Sequence, residues 1–223
     1  MGRVAAVNEA SGLVLSGGLL WTHDDSGGPA TVFGLSTRGK LVRQITLPQN
    51  VDWEDIAARG STLYVGDIGD NAMSRPGIVV YRGGQALPFR YPDGPHDAEA
   101  LLVDGPRIVI VTKSLSGEAG IYTARGPGVL RRAGTLQLGL GEPVTGGDSR
   151  GRTIVLRTYD RVYVWTRRTG ESLTRALRRQ PCTAGASLAG EGQGESIALA
   201  RDGRSFWTLP EGPNPILRHY VPT

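Results

Sequence analysis

A unit of four short β-type segments occurs four times along the 223-residue chain, followed by a fifth unit of three segments, and this repeat constrains the fold more than any other feature. The best-formed copy reads DWEDIAA, STLYVGD, GIVVYR and QALPFRY, and similar copies begin at residues 8, 96, 143 and 193. The segments are rich in β-branched and aromatic residues, and glycine-rich or charged turns such as STRGK and ARDGR separate them. Four strands in a period of about 40–50 residues are typical of a β-propeller blade. The sequence therefore predicts an all-β, five-bladed β-propeller with four-stranded blades, as a single domain over residues 1–223.

The two ends of the chain complement each other in this repeat. The fifth unit has only three segments and ends with PILRHYV, whereas RVAAV at residues 3–7 precedes the first unit without a local partner. We expect the N-terminal segment to supply the missing outer strand, because ring closure removes an exposed sheet edge. In the fourth unit, the outer strand is expected at SLTRALR, residues 172–178. A large two-sheet sandwich is the alternative, but it does not explain the phase of the repeats.

One oxygen-bearing residue occupies the same position in each predicted innermost strand. Glu54 leads EDI, Glu99 leads EAL and Glu195 leads ESI, while Ser11 and Thr145 take the equivalent positions in the first and fourth units. Since innermost strands line the central channel, the five side chains should form an axial ring, in which the carboxylates repel one another. Oxygen ligands suit a hard cation, so the ring predicts an axial Ca²⁺ site. The alternatives are that these carboxylates accept hydrogen bonds from neighbouring backbone N–H groups, or that the true strand alignment places them away from the axis.

Polar residues also cluster where the second strand of each unit ends, on the face where the innermost strand begins. The segments are WTHDDSGG, GDIGDN, TKSLSG, RTYDR and LPEGPN. We expect them to form a polar cup above the ring, with a general acid or base among its His and Asp residues and cations for a charged substrate. The candidate catalytic residues are His23, Asp24, Asp67, Lys113, Arg157 and Tyr159, and the candidate ligand-binding residues are Trp21, Asp25, Trp53, Asp70, Asn71 and Glu211.

Each member of the cup also has a purely structural interpretation. An Asp after a strand often forms an Asx turn, a strand Trp often packs between blades, and His23 could hydrogen-bond a neighbouring loop. Glycines at 66 and 69 are expected to adopt backbone conformations closed to other residues, which would turn Asp67 and Asp70 inward.

Composition excludes several classes of function. The net charge is +4, but the arginines are scattered and form no basic stripe, so we expect no nucleic-acid partner. No apolar run is long enough to span a membrane, and the start lacks the apolar segment of a signal peptide, so a cytoplasmic location follows unless a longer secreted parent exists. The single cysteine, Cys182, excludes an intrachain disulfide. We expect a monomer that takes a small-molecule substrate.

The motifs WTHDDSG, DWEDIA, YVGDIGDN and DAEALL occur in this order and resemble those of a group of bacterial β-propeller proteins that has no settled activity. The axial order Ser, Glu, Glu, Thr, Glu is also similar to the central calcium ring of apyrase-type calcium-dependent nucleotidases, which are five-bladed. That resemblance implies that Ca²⁺ is held by Ser11, Glu54, Glu99, Thr145 and Glu195. It does not extend to nucleotide hydrolysis, because the chain is much shorter and lacks the long substrate loops of that family.

Taken with the predicted cup, the axial ring favours a calcium-dependent enzyme that acts on a small polar molecule at the top of the channel. A hydrolase or lyase fits best, including a tailoring enzyme of a biosynthetic pathway. The alternative is a non-catalytic propeller that binds a ligand or partner and uses the axial metal structurally. A third interpretation treats the ring only as a staple for folding.

Overall fold

The computed structural model describes residues 2–186, 188 and 190–222. Its strands form five sheets arranged as the blades of a propeller. The N-terminal strand β1 is Gly2–Arg3. Blade 1 contains β2 (Ala10–Ser16), β3 (Leu19–Asp24), β4 (Thr31–Leu35) and β5 (Leu41–Thr46), and blade 2 contains β6 (Trp53–Arg59), β7 (Thr62–Asp67), β8 (Ile78–Arg82) and β9 (Gln85–Arg90).

The other three blades follow the same antiparallel order from the channel outward. Blade 3 contains β10 (Ala98–Asp104), β11 (Arg107–Thr112), β12 (Glu118–Ala124) and β14 (Arg131–Gln137), while β13 (Gly128–Val129) adds in parallel to the outer edge of blade 2. Blade 4 contains β15 (Gly146–Arg150), β16 (Thr153–Arg157), β17 (Val162–Thr166) and β18 (Cys182–Thr183). Blade 5 contains β19 (Ser196–Leu199), β20 (Phe206–Leu209) and β21 (Ile216–Tyr220). The predicted five-bladed fold is confirmed.

The N-terminus closes the ring as the sequence predicts. β1 pairs with β21 and becomes the outer strand of blade 5, with Gly2 opposite Leu217 and Arg3 opposite Ile216. The strand is shorter than the predicted RVAAV segment, since pairing stops at Arg3. Val4 and Val7 instead bury their side chains in the apolar cluster between blades 5 and 1. The segment therefore contributes two strand residues and two apolar anchors.

The outer strand of blade 4 is not where the sequence predicts it, and the assignment of residues 172–178 to a strand is wrong. This segment forms the helix α1 (Leu173–Leu177), and Cys182–Thr183 supplies the short outer strand instead. Ser172 caps the helix by accepting a hydrogen bond from the Arg175 N–H. Leu173, Ala176 and Leu177 are buried, at the spacing of one helical face rather than the alternation of a strand.

Five apolar clusters fill the spaces between neighbouring blades. Innermost strands contact each other around the ring in the order β2, β6, β10, β15, β19 and back to β2. Buried carboxylates join some of these neighbours: Asp55 Oδ2 accepts the Leu101 N–H at 2.8 Å, and Asp148 Oδ2 accepts the Leu199 N–H at 2.8 Å. These hydrogen bonds join the innermost strands of blades 2 and 3 and of blades 4 and 5, and they hold the side chains that line the channel in place.

In the described part of the chain, no helix has the length and apolar character needed to cross a bilayer.

Candidate metal centre and polar mouth of the channel

Three glutamates from different blades meet on the propeller axis. Glu54, Glu99 and Glu195 are all buried, and one carboxylate oxygen of each lies within 4.8 Å of the others. Two of the three sit at β-bulges, since the strand pairing shifts between Trp53 and Asp55 and again between Ala98 and Ala100. A bulge leaves its extra residue outside the ladder and re-aims its side chain. This local irregularity directs Glu54 and Glu99 into the channel.

The hydroxyl residues of the predicted ring take two different positions. Ser11 Oγ lies 2.8 Å from the Glu54 carbonyl oxygen, 3.1 Å from Glu54 Oε2 and 3.4 Å from Glu195 Oε2, so it belongs to the axial cluster. Thr145 is fully buried, but its hydroxyl donates to the Gly194 carbonyl at 3.1 Å. We use "axial site" below for Ser11, Glu54, Glu99 and Glu195. Thr145 directly precedes β15, and its hydrogen bond links the start of blade 4 to the segment before β19.

The axial site has strongly perturbed acids. Burial raises the pKa of Glu54 well above its ordinary value, and the Glu99 carboxylate raises it further. Burial and the Glu195 carboxylate likewise raise the pKa of Glu99. Glu99 Oε2 is buried and has no hydrogen-bond partner among the described residues. A buried carboxylate oxygen without a partner is costly unless it holds a proton or lies beside a cation.

A second acidic group lies beside the axial site, toward the mouth of the channel. Asp25, Asp52 and Glu54 also bring carboxylate oxygens within 4.8 Å of one another. Burial raises the pKa of Asp25 to about 6 and also raises that of Asp52. Burial, and then the Glu195 carboxylate, raise the pKa of Glu211 to about 8. Asp52 was not a sequence candidate, although it directly precedes the Trp53-Glu54 pair in DWEDIA.

One cation balances part of this negative charge. The Lys113 ammonium forms an ion pair with Glu99 and lies 5.7 Å from the centre of the Tyr159 ring. Burial alone would lower the pKa of Lys113, but the Glu99 carboxylate outweighs it and raises the pKa overall. Burial raises the pKa of Tyr159. Both side chains are half-buried at the mouth, so they remain accessible to a ligand there.

The GDIGDN segment holds itself in place with its acidic side chains. Asp67 accepts the backbone N–H groups of residues 51 and 52 and pairs with Arg75 at 2.6 Å. Asp70 accepts the N–H groups of residues 74 and 75, an Asx-type arrangement, and Asn71 is exposed. Gly66 and Gly69 do not have positive φ angles. A Cβ on Gly69 would collide with the Glu54 and Asp52 carboxylates, so the glycine is needed for close approach.

Four other candidate residues of blades 1 and 2 are part of the packing. His23 is fully buried edge-on against Trp53, with ring centres 5.5 Å apart, and burial lowers its pKa to about 4. Trp21 packs in the cluster between blades 1 and 2 and donates to the Ser16 carbonyl, near the opposite end of the channel. Asp24 Oδ1 accepts the N–H groups of residues 8 and 9. The structure brings none of these side chains to the axial site.

Arg157 is enclosed by its own blade and the next. It is fully buried, and Nη1 lies 3.2 Å from Glu191 Oε2 and 3.0 Å from the Ser196 carbonyl oxygen. Glu191 also accepts hydrogen bonds from the hydroxyls of Thr208 and Tyr220. Glu191 was not a sequence candidate, because its loop lies outside the repeat units. The guanidinium is therefore neutralised internally and does not reach the mouth.

The comparisons with known proteins establish the fold only. No protein-family model matches the chain, and no curated protein matches it either. Among solved structures, glutaminyl cyclase from Myxococcus xanthus matches with a TM-score of 0.62 and 15% identity over 100% of this chain and 95% of that one. Virginiamycin B lyase from Staphylococcus aureus, in a selenomethionine-substituted form, matches with a TM-score of 0.48 and 12% identity over 99% of this chain and 73% of that one. The WD40 repeats of RRP9 match with a TM-score of 0.47 and 13% identity over 96% of this chain and 67% of that one. At 15% identity the match to glutaminyl cyclase shows a similarity of fold alone, and it agrees with the five-bladed propeller described above.

Proposed function

We propose that this protein binds Ca²⁺ at the axial site and acts on a small polar molecule at the mouth above it, as a hydrolase or lyase. The observation that carries the proposal is the convergence of Glu54, Glu99 and Glu195 on the axis. Two oxygen ligands of one Ca²⁺ lie at most about 5 Å apart, since each binds the ion at about 2.3–2.6 Å, and the three carboxylate oxygens here meet that limit because they all lie within 4.8 Å of one another.

The donor set fits a hard cation. It consists of carboxylate oxygens and the Ser11 hydroxyl, without nitrogen or sulfur, and Glu99 Oε2 has no other partner among the described residues. A bound Ca²⁺ would supply Lewis-acid polarisation of a carbonyl or phosphoryl oxygen. It would also stabilise the ionised forms of Glu54 and Glu99, whose pKa values burial raises.

The groups available for chemistry are those that face the mouth. Burial, and then the Glu195 carboxylate, raise the pKa of Glu211 to about 8 in the metal-free protein, and in its protonated form Glu211 can donate a proton to a leaving group. Asp25 and Asp52 are accessible carboxylates that can accept a proton, while Lys113 and Tyr159 can bind an anionic or hydroxyl-bearing part of the substrate. Asp67 and Arg157 remain candidates from the sequence, but their internal contacts favour a role in positioning loops.

The second candidate is a non-catalytic binding module with a structural axial metal. The observation that favours it is the saturation of Asp67, Asp70 and Arg157 by contacts within the protein. In this case the mouth binds a ligand without chemical turnover, and the fixed loops only give the mouth its shape.

Metal analysis and calorimetry test the first part of the proposal. We expect Ca²⁺ to bind at the axis and Glu54→Gln to weaken that binding by about a hundredfold, because one charged ligand is lost. The same change should leave the metal-free protein as stable as before, since Gln resembles the protonated carboxyl that burial favours. Glu118→Gln, at an exposed position on blade 3, is the matched control. Equal Ca²⁺ affinity in the wild-type and Glu54→Gln proteins would contradict an axial site.

A substrate panel tests the second part. Esters, phosphoesters and lactones cover the hydrolase and lyase classes, and a peptide with an N-terminal glutamine is included because a glutaminyl cyclase shares the fold. Release of product or ammonia that depends on Glu211 and Lys113 would support catalysis. Saturable binding of a panel member without turnover would instead support the binding module.

A further inference from the structure

The opposite end of the channel is lined by arginines. The innermost strands run from the axial site to this end, where Arg59 ends β6 and Arg150 ends β15, and Arg201 follows β19. All three line one cavity of about 340 Å³, together with residues 14–18 at the end of β2. The channel therefore has acidic side chains at one end and basic side chains at the other. We call this cavity the basic end.

Arg150 reaches across the channel rather than along its own blade. Its Nη2 donates to the Leu15 carbonyl of blade 1, although blade 5 lies between blades 4 and 1 in the ring. Its Nε is buried and has no hydrogen-bond partner among the described residues. A buried N–H donor without an acceptor is costly, and an acceptor entering the cavity would remove that cost.

The positive charge at this end is largely uncompensated. No ion pair in the described part of the chain involves Arg59, Arg150 or Arg201. Asp148 also lines the cavity, but its two oxygens accept the backbone N–H groups of Ser149 and Leu199. Three arginines thus line the same cavity as one carboxylate that is already hydrogen-bonded. A concave site lined by charges of one sign concentrates ligands of the opposite sign.

We propose that the basic end binds a small molecule bearing an oxyanion, a phosphate or carboxylate group, held by Arg59, Arg150 and Arg201. Guanidinium groups form paired, charge-assisted hydrogen bonds with both kinds of oxyanion. The cavity has the size of a small-molecule site, since such pockets occupy about 300–1,000 Å³. The site is separate from the axial site and does not depend on Ca²⁺ or on catalysis at the mouth.

Calorimetric titration with inorganic phosphate and with citrate, without added calcium, tests the proposal. We expect saturable binding of at least one anion that weakens as ionic strength rises. The two titrations distinguish a phosphate site from a carboxylate site, and binding in either supports the proposal. Arg150→Gln should weaken binding by about tenfold or more, because one charge-assisted contact is lost. Absence of saturable binding for both anions up to about 10 mM would overturn it.

Substitutions of two exposed arginines distinguish a loss of binding from a loss of folding. Arg150→Gln also removes the contact with Leu15, so Arg59→Gln and Arg201→Gln, which change exposed side chains, should show the same loss while thermal unfolding stays unchanged. Arg38→Gln is the matched control, because Arg38 is exposed on a turn of blade 1 outside the cavity. If Arg59→Gln and Arg201→Gln both retain wild-type affinity, the anion does not bind at the basic end and the proposal fails.

Discussion

Gly69 lies directly against the Glu54 carboxylate, so that any side chain at position 69 would occupy the space of the axial site. A Cβ built on Gly69 would collide with Glu54 Oε1 and come within 2.6 Å of the Asp52 Cγ atom. The GDIGDN loop is thus one wall of the candidate metal centre, and it approaches the carboxylates with its backbone.

This contact predicts the effect of Gly69→Ala. The added methyl group must push either the loop or Glu54 aside, so we expect a loss of about 1–3 kcal/mol in the free energy of unfolding and at least tenfold weaker Ca²⁺ binding. Urea denaturation and calcium calorimetry measure the two effects. Gly126→Ala is the control, because a Cβ there meets open space. Unchanged Ca²⁺ affinity in the Gly69→Ala protein would show that Glu54 is not a ligand of the metal.

The ion pair between Lys113 and Glu99 predicts opposite effects on stability and on metal affinity. Lys113→Gln leaves Glu99 without its cation, so the metal-free protein should lose about 1–3 kcal/mol of stability, a range discounted for the partial exposure of Lys113. The same change should strengthen Ca²⁺ binding several-fold, since the ammonium no longer competes for the carboxylate. Lys40→Gln changes the other lysine, which is exposed, and should alter neither quantity. A drop in both stability and Ca²⁺ affinity would show that Lys113 supports the site instead of competing with a metal.

The sequence predicts the blades and the axial glutamates well because both depend on local pattern. Alternation, turn residues and the repeat period fix the phase of each innermost strand, and that phase places Glu54, Glu99 and Glu195 at one height. The structure adds the bulges at Glu54 and Glu99, which the sequence does not reveal because a bulge preserves the apolar pattern around it.

The composition of the cup could not be predicted in the same way. Whether an acid faces solvent or binds a backbone N–H group depends on contacts between loops that the repeat does not encode. Asp67 pairs with Arg75, and Arg157 pairs with Glu191. Asp52, by contrast, lies beside Glu54 at the axial site. The helix in blade 4 was missed because SLTRALR has too few residues for its helical period to be distinguished from a strand.

The buried pair of Arg157 and Glu191 predicts a large loss of stability when Arg157, a catalytic candidate in the sequence, is replaced. Both side chains are almost completely buried, so Arg157→Gln leaves the Glu191 carboxylate without its main partner. We expect a loss of about 3–5 kcal/mol in the free energy of unfolding. Arg161→Gln, which breaks the pair between the exposed Arg161 side chain and the partly buried Glu142, should cost at most about 1 kcal/mol. If Arg157→Gln kept full stability and abolished turnover, Arg157 would be a substrate contact after all.

The raised pKa values predict how stability and calcium affinity change with pH. In the metal-free protein Glu211 has a pKa of about 8, against 4.5 for the ordinary carboxyl group, so the folded state binds more protons than the unfolded state between these values. Stability conferred by the protonated form is therefore lost as pH rises. The lowered pKa of His23, about 4 against 6.5, acts in the opposite direction but only below pH 6.5.

Between about pH 6.5 and 8 the carboxyl groups of the channel therefore determine whether stability rises or falls with pH. The melting temperature of the metal-free protein should fall by on the order of a few degrees over this interval. Ca²⁺ favours the ionised carboxylates, so its affinity should rise over the same interval and its binding should release protons. Calorimetry in two buffers of different ionisation enthalpy counts those protons. Glu211→Gln should flatten the pH dependence of the melting temperature, whereas Glu118→Gln should not, because Glu118 is exposed on blade 3. If the metal-free protein instead became more stable between about pH 6.5 and 8, the channel carboxylates would be ionised without a cation. The electrostatic argument for a bound cation would then fail.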